Sequence, residues 1–272
     1  MSLLPDPARM TPLPHPGHLS LVGAGPGAAD LMTYRAVRRL QQADVVLYDR
    51  LVSPEVLDLI PATIPRLDVG KDCGNHRWTQ ADIDARIAAE LRLGRRVVRL
   101  KSGDPAIFGR AGEEIAIAMA EGATVEIVPG VTAVSAAAAS LCQPLTTRGL
   151  AQRLVLATAT DHRGDLAATL ADDFGPGTTL ALYMAMTRLD QVECALLSSG
   201  AAPDTLVTIV CACSTPQEQR AAFALKGLAK AVAQAGDLRN PAIVLLTWGL
   251  TAAQGTAHAA RLPAIGCDQT KR

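Results

Sequence analysis

Aromatic side chains are scarce in this chain of 272 residues, making up only 3% of it. Stacking on bases or on flat rings therefore cannot be its general way of holding a ligand. Neither sign of charge is in excess, because 26 Lys and Arg residues balance 26 Asp and Glu residues. A nucleic acid or an anionic membrane would need a broadly basic face, so the composition argues against both as partners, and an anionic ligand must meet a local cluster of cations.

Metal and disulfide motifs are missing as well. The six cysteines show neither CxxC pairs nor a His-Cys metal spacing, which favours reduced thiols in a cytoplasmic protein and predicts no metal site. No apolar run reaches the roughly 18 residues of a membrane span. The proline-rich residues 1–18 lack the pattern of a signal peptide, so we expect a disordered arm there.

Hydrophobic residues are abundant at 49%, which is ample for buried cores in one or two domains. Short apolar strands alternate with helical patterns along the chain, and this alternation is typical of an α/β fold. We predict an N-terminal α/β domain over residues 19–130, a C-terminal α/β domain over residues 131–250 and a polar tail over residues 251–272. The N-terminal strands are expected at 19–22, 45–48, 67–70, 97–100 and 125–128, and the later ones at 154–157, 179–184, 206–210 and 242–247.

Two polar side chains come directly after predicted strands. Asp49 follows the strand at 45–48, and Lys71 follows the strand at 67–70. In open α/β sheets, ligands bind at the carboxyl ends of the strands, so both residues are candidates for a site. Two ordinary alternatives stay open: Asp49 as a turn-forming residue before Ser53 and Pro54, and Lys71 as a surface lysine.

Glycine-rich loops follow two further strands. Residues 23–27 (Gly-Ala-Gly-Pro-Gly) suggest a dinucleotide loop, but Pro26 removes a backbone donor that a pyrophosphate would use, so we expect a neutral or cationic ligand. Residues 99–110 (Arg-Leu-Lys-Ser-Gly-Asp-Pro-Ala-Ile-Phe-Gly-Arg) leave a strand through an open loop whose backbone groups are available to a ligand. A purely structural turn is the alternative for this loop.

Taken in order, these motifs resemble the tetrapyrrole methylase family of S-adenosylmethionine-dependent enzymes, and within it the branch that methylates uroporphyrinogen III. The resemblance runs from about Leu19 to Gly249. Each motif is weak alone, but the ordered set is specific. The set comprises residues 22–27, 48–53, 69–71, 99–110, 113–114, 129–133, 144–148 and 183–184.

The resemblance implies two α/β domains with the cofactor in the cleft between them, and a homodimer. The implied cofactor is S-adenosylmethionine, with S-adenosylhomocysteine as product. The positions that match the family's cofactor contacts are Pro26, Ser102, Gly103, Asp104, Ile107, Thr132, Ala133, Met184 and Cys213. Backbone polar groups and small or flexible side chains of this kind suit adenosine and a sulfonium.

The implied reaction is methylation of uroporphyrinogen III at two ring carbons, giving precorrin-2 for corrinoid or sirohaem synthesis. The family's proton acceptor matches Asp49, and its proton donor matches Lys71. Because the substrate carries eight carboxylates, forked donors are needed, and Arg110, Arg148 and Arg50 are the candidates. Glu113 is expected either to cap a helix or to orient Arg110.

Alternatives to this reaction remain at the level of sequence. They are a methylase of the same fold acting on another tetrapyrrole, on RNA or on a protein, and a tetrapyrrole-binding protein without turnover. Several positions depart from the family pattern, among them residues 147–149 and 158–162. In the loop of residues 99–110, Ser102 stands where Gly is usual and Ala106 where Phe is common. The first predicts an altered loop backbone, and the second predicts a wider substrate pocket.

Overall fold

A computed structural model describes residues 16–70, 78–161, 165–167 and 169–254. The chain divides into two compact units, with the boundary between Thr132 and Ala133. The predicted arm up to residue 15, Lys71, Cys73 and the tail from residue 255 lie outside the described residues.

The first unit is an all-parallel five-stranded sheet with strand order β3-β2-β4-β1-β5. Its strands and helices alternate along the chain as the sequence predicts, which confirms the α/β class. The strands are β1 (His18–Gly23), β2 (Val45–Tyr48), β3 (Arg66–Asp68), β4 (Arg96–Lys101) and β5 (Thr124–Val128). The helices are α1 (Tyr34–Gln42), α2 (Pro54–Leu57), α3 (Gln80–Arg92) and α4 (Ala111–Ala120).

Hydroxyl side chains start the first three helices. Thr33 accepts a hydrogen bond from the backbone N–H of Ala36 at 3.2 Å, and Ser53 caps α2 with proline at the first helical position. Thr79 and Asp82 form a reciprocal capping box at the start of α3. These caps satisfy backbone donors that have no partner inside the helix, so each fixes where its helix begins.

Both faces of the first sheet are covered. Successive residues of β4 point to opposite faces, so Val98 and Leu100 pack towards α1 and α2, whereas Val97 packs towards α3 and α4. Arg99 and Lys101 share the face of Val97, and both are buried. Two cations therefore lie beneath α4, at the carboxyl end of the central strand.

The second unit contains a mixed sheet with strand order β6-β7-β10-β8-β9. Only β6 and β7 are parallel, and the other neighbours are antiparallel. Its helices are α5 (Ala133–Ser140), α6 (Leu189–Ser198) and α7 (Leu228–Ala235), and its strands are β6 (Ala151–Thr158), β7 (Gly177–Tyr183), β8 (Thr205–Cys211), β9 (Gln219–Ala224) and β10 (Ala242–Thr251). Strand β9 is not predicted by the sequence pattern.

The described residues contain no helix that is long and apolar enough to cross a membrane. Within the same residues, no three His, Cys, Asp or Glu side chains gather as a metal site would require. Four cysteines lie in this part of the chain as free thiols, Cys142 and Cys194 exposed and Cys211 and Cys213 buried.

Candidate active site

Three glycines bring three loops into backbone contact at one edge of the first sheet. Gly23 ends β1, Gly103 follows β4 and Gly130 follows β5, and these strands are neighbours. A Cβ added to Gly130 would lie 2.1 Å from the Gly103 carbonyl oxygen, and one added to Gly23 would lie 2.6 Å from the Gly130 Cα. Only glycine leaves room for this approach, so the three loops form one block.

Backbone hydrogen bonds fasten the block. The Gly103 N–H donates to the Gly25 carbonyl at 2.7 Å, and the Gly25 N–H donates back to Gly103 at 3.2 Å. Both glycines have positive φ, 69° and 71°. Pro26, the residue that removes a phosphate-binding donor, follows directly and is half-buried.

Asp104 closes the loop onto the block. Its carboxylate accepts hydrogen bonds from the Gly130 N–H at 3.0 Å and from the Ala106 N–H at 2.8 Å. The Ile107 N–H donates to the Asp104 carbonyl at 3.1 Å, which tightens the same turn. The side chain of Asp104 is therefore engaged in shaping the loop.

Ser102, the departure from the family pattern, is half-buried and keeps an ordinary negative φ. The left-handed conformation is taken by Gly103 after it. A serine Cβ is therefore accommodated here without strain. Thr132 and Ala133, two further candidates, are half-buried and stand at the boundary of the two units.

Asp49 lies at the carboxyl end of β2, beside the end of β4. Its backbone carbonyl accepts a hydrogen bond from the Val52 N–H at 3.0 Å, so it does form a turn. Its carboxylate is one-third exposed, and Oδ1 accepts a charged hydrogen bond from the Arg99 guanidinium. In the described part of the chain no hydrogen bond reaches Oδ2, which leaves this oxygen available.

Arg99 belongs to a buried charged network that sequence reasoning did not single out. Its Nε donates to Oε1 of Glu114 at 2.9 Å, and Lys101 Nζ donates to both oxygens of Glu114 at 2.9 and 2.7 Å. Burial, followed by the charge of Arg99, lowers the pKa of Lys101 from its ordinary value. The sequence did contain a sign of this network, because Arg99 and Lys101 are two cations on the same face of an otherwise apolar strand.

Arg110 and Glu113 form a forked ion pair at the start of α4. The Nε and Nη2 atoms of Arg110 donate to the two oxygens of Glu113 at 2.9 and 2.8 Å, and both side chains are about half exposed. Arg110 has a left-handed φ of 55° and makes no side-chain cap. Of the two sequence-based alternatives for Glu113, this geometry supports the orientation of Arg110.

Three other residues are predicted to contact the substrate or act in catalysis, Arg148, Arg50 and Lys71. Arg148 and Arg50 are exposed, and Arg50 packs closely on Gly70, where an added Cβ would lie 2.6 Å from the Cβ of Arg50. Lys71, the predicted proton donor, is outside the described residues.

The second unit contributes a strained edge of its own. Strands β7 and β8 are both antiparallel to β10, so Met184 and Ala212, which follow them, lie at the same edge of the sheet. Met184, Ala212 and Ser214 all have positive φ, between 45° and 60°. Non-glycine residues in this conformation concentrate at ligand-binding sites, and Met184 is 50% exposed.

Cys213 lies within this strained segment and is buried. Burial raises the pKa of its thiol to about 11, so the thiol is protonated at neutral pH. Glu218 holds the segment, because its carboxylate accepts hydrogen bonds from the Ser214 N–H and from the Arg220 Nε, both at 2.7 Å. Sequence reasoning missed Glu218 and Arg220, since strand β9 was not predicted.

Residues 18–229 match the family model of Tetrapyrrole (Corrin/Porphyrin) Methylases. A uroporphyrinogen-III C-methyltransferase of Paracoccus denitrificans is 47% identical over 223 residues, which cover 80% of this chain and 76% of that protein. Siroheme synthase 1 of Halorhodospira halophila is 39% identical, and the match covers 85% of this chain but 47% of that protein. The chain thus spans about half the length of this sirohaem synthase.

Among solved structures, the chain is similar to a uroporphyrin-III C-methyl transferase of Thermus thermophilus in complex with S-adenosylhomocysteine. The two are 36% identical with a TM-score of 0.73, and the match covers 85% of this chain and 97% of that one. A cobalt precorrin-4 methyltransferase matches with the same TM-score, 0.73, at 31% identity, over 90% of this chain and 98% of that one.

Proposed function

Because the chain belongs to the tetrapyrrole methylase family, we propose that it is an S-adenosylmethionine-dependent C-methyltransferase that converts uroporphyrinogen III to precorrin-2. The observation that carries the proposal is the edge of the first sheet. Three features meet the ends of neighbouring strands there. They are the glycine loop block, the Asp49 carboxylate held by Arg99, and the Arg110–Glu113 pair at the start of α4.

The residues present fit the cofactor. The loop block offers backbone groups and small side chains without a phosphate cradle, and Met184 offers a flexible, half-exposed side chain for an adenine ring. We assign cofactor contacts to Pro26, Ser102, Gly103, Asp104, Ile107, Thr132, Ala133, Met184 and Cys213. When bound, S-adenosylmethionine supplies an electrophilic methyl group, and the electron pair of the broken S–C bond stays on sulfur.

Asp49 is assigned as the proton acceptor. Once a ring carbon of the substrate has formed its new C–C bond, the macrocycle is cationic and loses a proton from carbon to regain neutrality. A positioned carboxylate takes up that proton and contributes about 10²- to 10⁴-fold to the rate. Lys71 is assigned as the proton donor. Orienting the substrate carbon towards the methyl group supplies most of the remaining acceleration.

We assign recognition of the substrate carboxylates to three arginines. Glu113 orients the guanidinium of Arg110 by accepting from its Nε and Nη2 atoms. The Nη1 side of the same group then faces away from Glu113, and we assign it to a carboxylate of the substrate. Arg148 and Arg50 are both exposed, and we assign them to further carboxylates of the substrate. Ala106, exposed in the same loop, leaves room where a phenylalanine would stand.

Cys213 fits a site that handles a reactive methyl group. A thiolate is a strong nucleophile, whereas a protonated thiol is a poor one. With its thiol pKa raised to about 11, Cys213 is neutral at the working pH and does not compete with the ring carbon for the methyl group.

We further propose a cytoplasmic homodimer with no nucleic-acid or membrane partner. The balanced charge and the free thiols of the described residues support the compartment and the absence of polyanionic partners. The homodimer rests on the family resemblance, and sedimentation of the purified protein tests it.

The function is tested by anaerobic incubation of the protein with S-adenosylmethionine and uroporphyrinogen III, followed by mass spectrometry of the tetrapyrrole. We expect a product heavier by two methyl groups, lost in Asp49→Asn and Arg110→Ala and retained in Arg92→Ala, which removes an exposed arginine paired with Glu121. An unchanged tetrapyrrole, with cofactor binding intact by calorimetry, would overturn the substrate assignment. Absence of cofactor binding would favour a tetrapyrrole-binding protein.

A further inference from the structure

Four charged side chains are joined beneath the loop block, Asp49, Arg99, Lys101 and Glu114. Arg99 is 3% exposed and Glu114 is fully buried, so the centre of the network is closed to water. Two cations and two anions balance, and every ion pair is also a hydrogen bond. Only Asp49 reaches the surface, because it is one-third exposed.

We infer that Arg99 and Glu114 are positioning residues, which fix the Asp49 carboxylate so that one of its oxygens faces the substrate, with Lys101 completing the set. The inference rests on the proposed role of Asp49 as proton acceptor. It assigns a role to three buried residues that are not among the assigned cofactor or substrate contacts.

The contacts can be followed from Glu114 through Arg99 to Asp49. Glu114 stands on α4 and receives Nε of Arg99 and Nζ of Lys101. Arg99 is also tied to the backbone, because its Nη1 donates to the Leu100 carbonyl at 3.3 Å. With these bonds made, the remaining Nη2 of Arg99 points at Oδ1 of Asp49. A buried guanidinium held on two sides has little freedom to move.

Asp49 needs this support because it stands on a turn after a strand. An aspartate at such a position can rotate about two side-chain bonds. Proton transfer requires one carboxylate oxygen to lie within about 3 Å of the atom that gives up the proton. Arg99 occupies Oδ1 and leaves Oδ2 without a partner in the described part of the chain. The network therefore selects which oxygen is offered.

The network also connects the proton acceptor to substrate recognition. Glu113 and Glu114 are consecutive in the first turn of α4, yet Glu113 is 46% exposed and pairs with Arg110, whereas Glu114 is buried and pairs with Arg99. One helical turn thus orients Arg110 directly through Glu113, and Asp49 indirectly through Glu114 and Arg99. Their separation is set by a rigid element.

Stability alone is a weak reason for such a network. Desolvation of buried charges costs about as much as their pairing returns, so apolar side chains of similar size would serve the fold as well. The chain has a matched case in α3, where the buried Glu90 is held by Arg86 and Arg95 away from any predicted site residue. Glu90 thus provides a control for the purely structural contribution.

The test is a double-mutant cycle on the full-length protein. We expect Arg99→Gln to lower kcat by about 10- to 100-fold, part of the span of general-base catalysis, while the Kd for S-adenosylhomocysteine changes less than about twofold. Arg99→Lys, which keeps a charge but loses the fork, is expected to recover part of the loss. In an Asp49→Asn background, Arg99→Gln is expected to cause no further loss, because Arg99 acts only through Asp49.

The control pair separates positioning from folding. Glu114→Gln and Glu90→Gln are each expected to lower the melting temperature, but only Glu114→Gln is expected to lower kcat. If the effects of Arg99→Gln and Asp49→Asn multiply, or if Glu90→Gln lowers kcat as much as Glu114→Gln, the positioning role is wrong while the proposed function stands. A fully active Asp49→Asn enzyme would overturn the inference and the assignment of Asp49. A wild-type protein that methylates nothing would overturn the proposed function, and the inference with it.

Discussion

A tight local constraint at the candidate site is the missing side chain at Gly130. The backbone of Gly103 and Gly23 fills the space where a Cβ would stand, and Asp104 binds the Gly130 N–H from the other side. Backbone atoms cannot move aside as the end of a flexible side chain can, so any substitution must displace a loop of the site.

We therefore expect Gly130→Ala to lower the free energy of unfolding by about 2 kcal/mol or more and to weaken S-adenosylhomocysteine binding by about tenfold. Gly112→Ala is the matched control, because a Cβ there meets nothing within 4 Å and lies in α4. It is expected to raise the unfolding free energy by up to about 1 kcal/mol. Urea denaturation and calorimetry measure both, and equal effects of the two substitutions would contradict the role of the loop contact.

For single residues, the sequence predicts where Asp49 lies but not that Arg99 pairs with it. A carboxylate after an apolar strand is visible in the pattern, and the parallel sheet brings it beside β4 as expected. Its pairing with Arg99 depends on the angle at which Glu114 of α4 meets the strand, and that angle is set by packing of the whole unit. The left-handed φ of Met184 and Ala212 is likewise invisible, since nothing in these residue types requires it.

Among the elements, α1 is fastened to the sheet by one carboxylate. Glu126 of β5 accepts hydrogen bonds from Arg39 of α1 and from Ser20 of β1, the latter at 2.8 Å, and His18 Nε2 lies 3.2 Å away. The guanidinium of Arg39, with the two β1 side chains, lowers the pKa of Glu126 to about 2. Thr33, which caps the same helix, donates a hydrogen bond to the Pro129 carbonyl beside the loop block.

This carboxylate predicts part of the acid sensitivity of the protein. Between pH 4.5 and about 2 the folded state binds fewer protons at Glu126 than the unfolded state, so its stabilisation is complete above that range and is lost as pH falls through it. We expect Glu126→Gln to remove on the order of 2 kcal/mol of unfolding free energy at pH 6 and to flatten the loss below pH 4.5.

Denaturant unfolding at several pH values measures this effect. Glu121→Gln, which breaks the surface pair with Arg92, is the control and should cost less than about 1 kcal/mol. An unchanged slope against pH in Glu126→Gln would contradict the assignment.

Most elements could be predicted from sequence because their signals are local. The apolar strands of the first sheet are confirmed at nearly the expected residues. The helix caps at Thr33, Ser53 and Thr79 are local signals of the same kind, because each depends on a hydroxyl residue next to its helix. Strand β9 could not be predicted, since Gln219–Ala224 has no β-branched residue and only one aromatic. Its conformation comes from pairing with β8, a contact that the segment's own sequence does not contain.

For the whole molecule, the assigned cofactor contacts are distributed over two units of similar size. The proposed contacts at Ser102–Ile107 belong to the first unit, and those at Met184 and Cys213 belong to the second. A ligand that contacts both must protect both from local opening.

We expect S-adenosylhomocysteine at 100 times its Kd to raise the unfolding free energy by about 2.7 kcal/mol. Hydrogen exchange followed by mass spectrometry should then slow in peptides covering 102–107 and in peptides covering 184 and 212–214. Peptides from α3 away from the site serve as the internal reference. Protection confined to one unit would contradict the cofactor assignments in the other.

The three-glycine contact has a mechanical consequence. The three loops are packed backbone against backbone at Gly23, Gly103 and Gly130, and hydrogen bonds join Gly25 to Gly103 and Gly130 to the Asp104 carboxylate. We therefore expect them to move as one unit. Opening one loop alone would disrupt its contacts with the other two. We therefore expect any hinge that admits a tetrapyrrole to the proposed site to lie in other segments of the chain, and the three loops to keep one shape as the ligand enters and leaves.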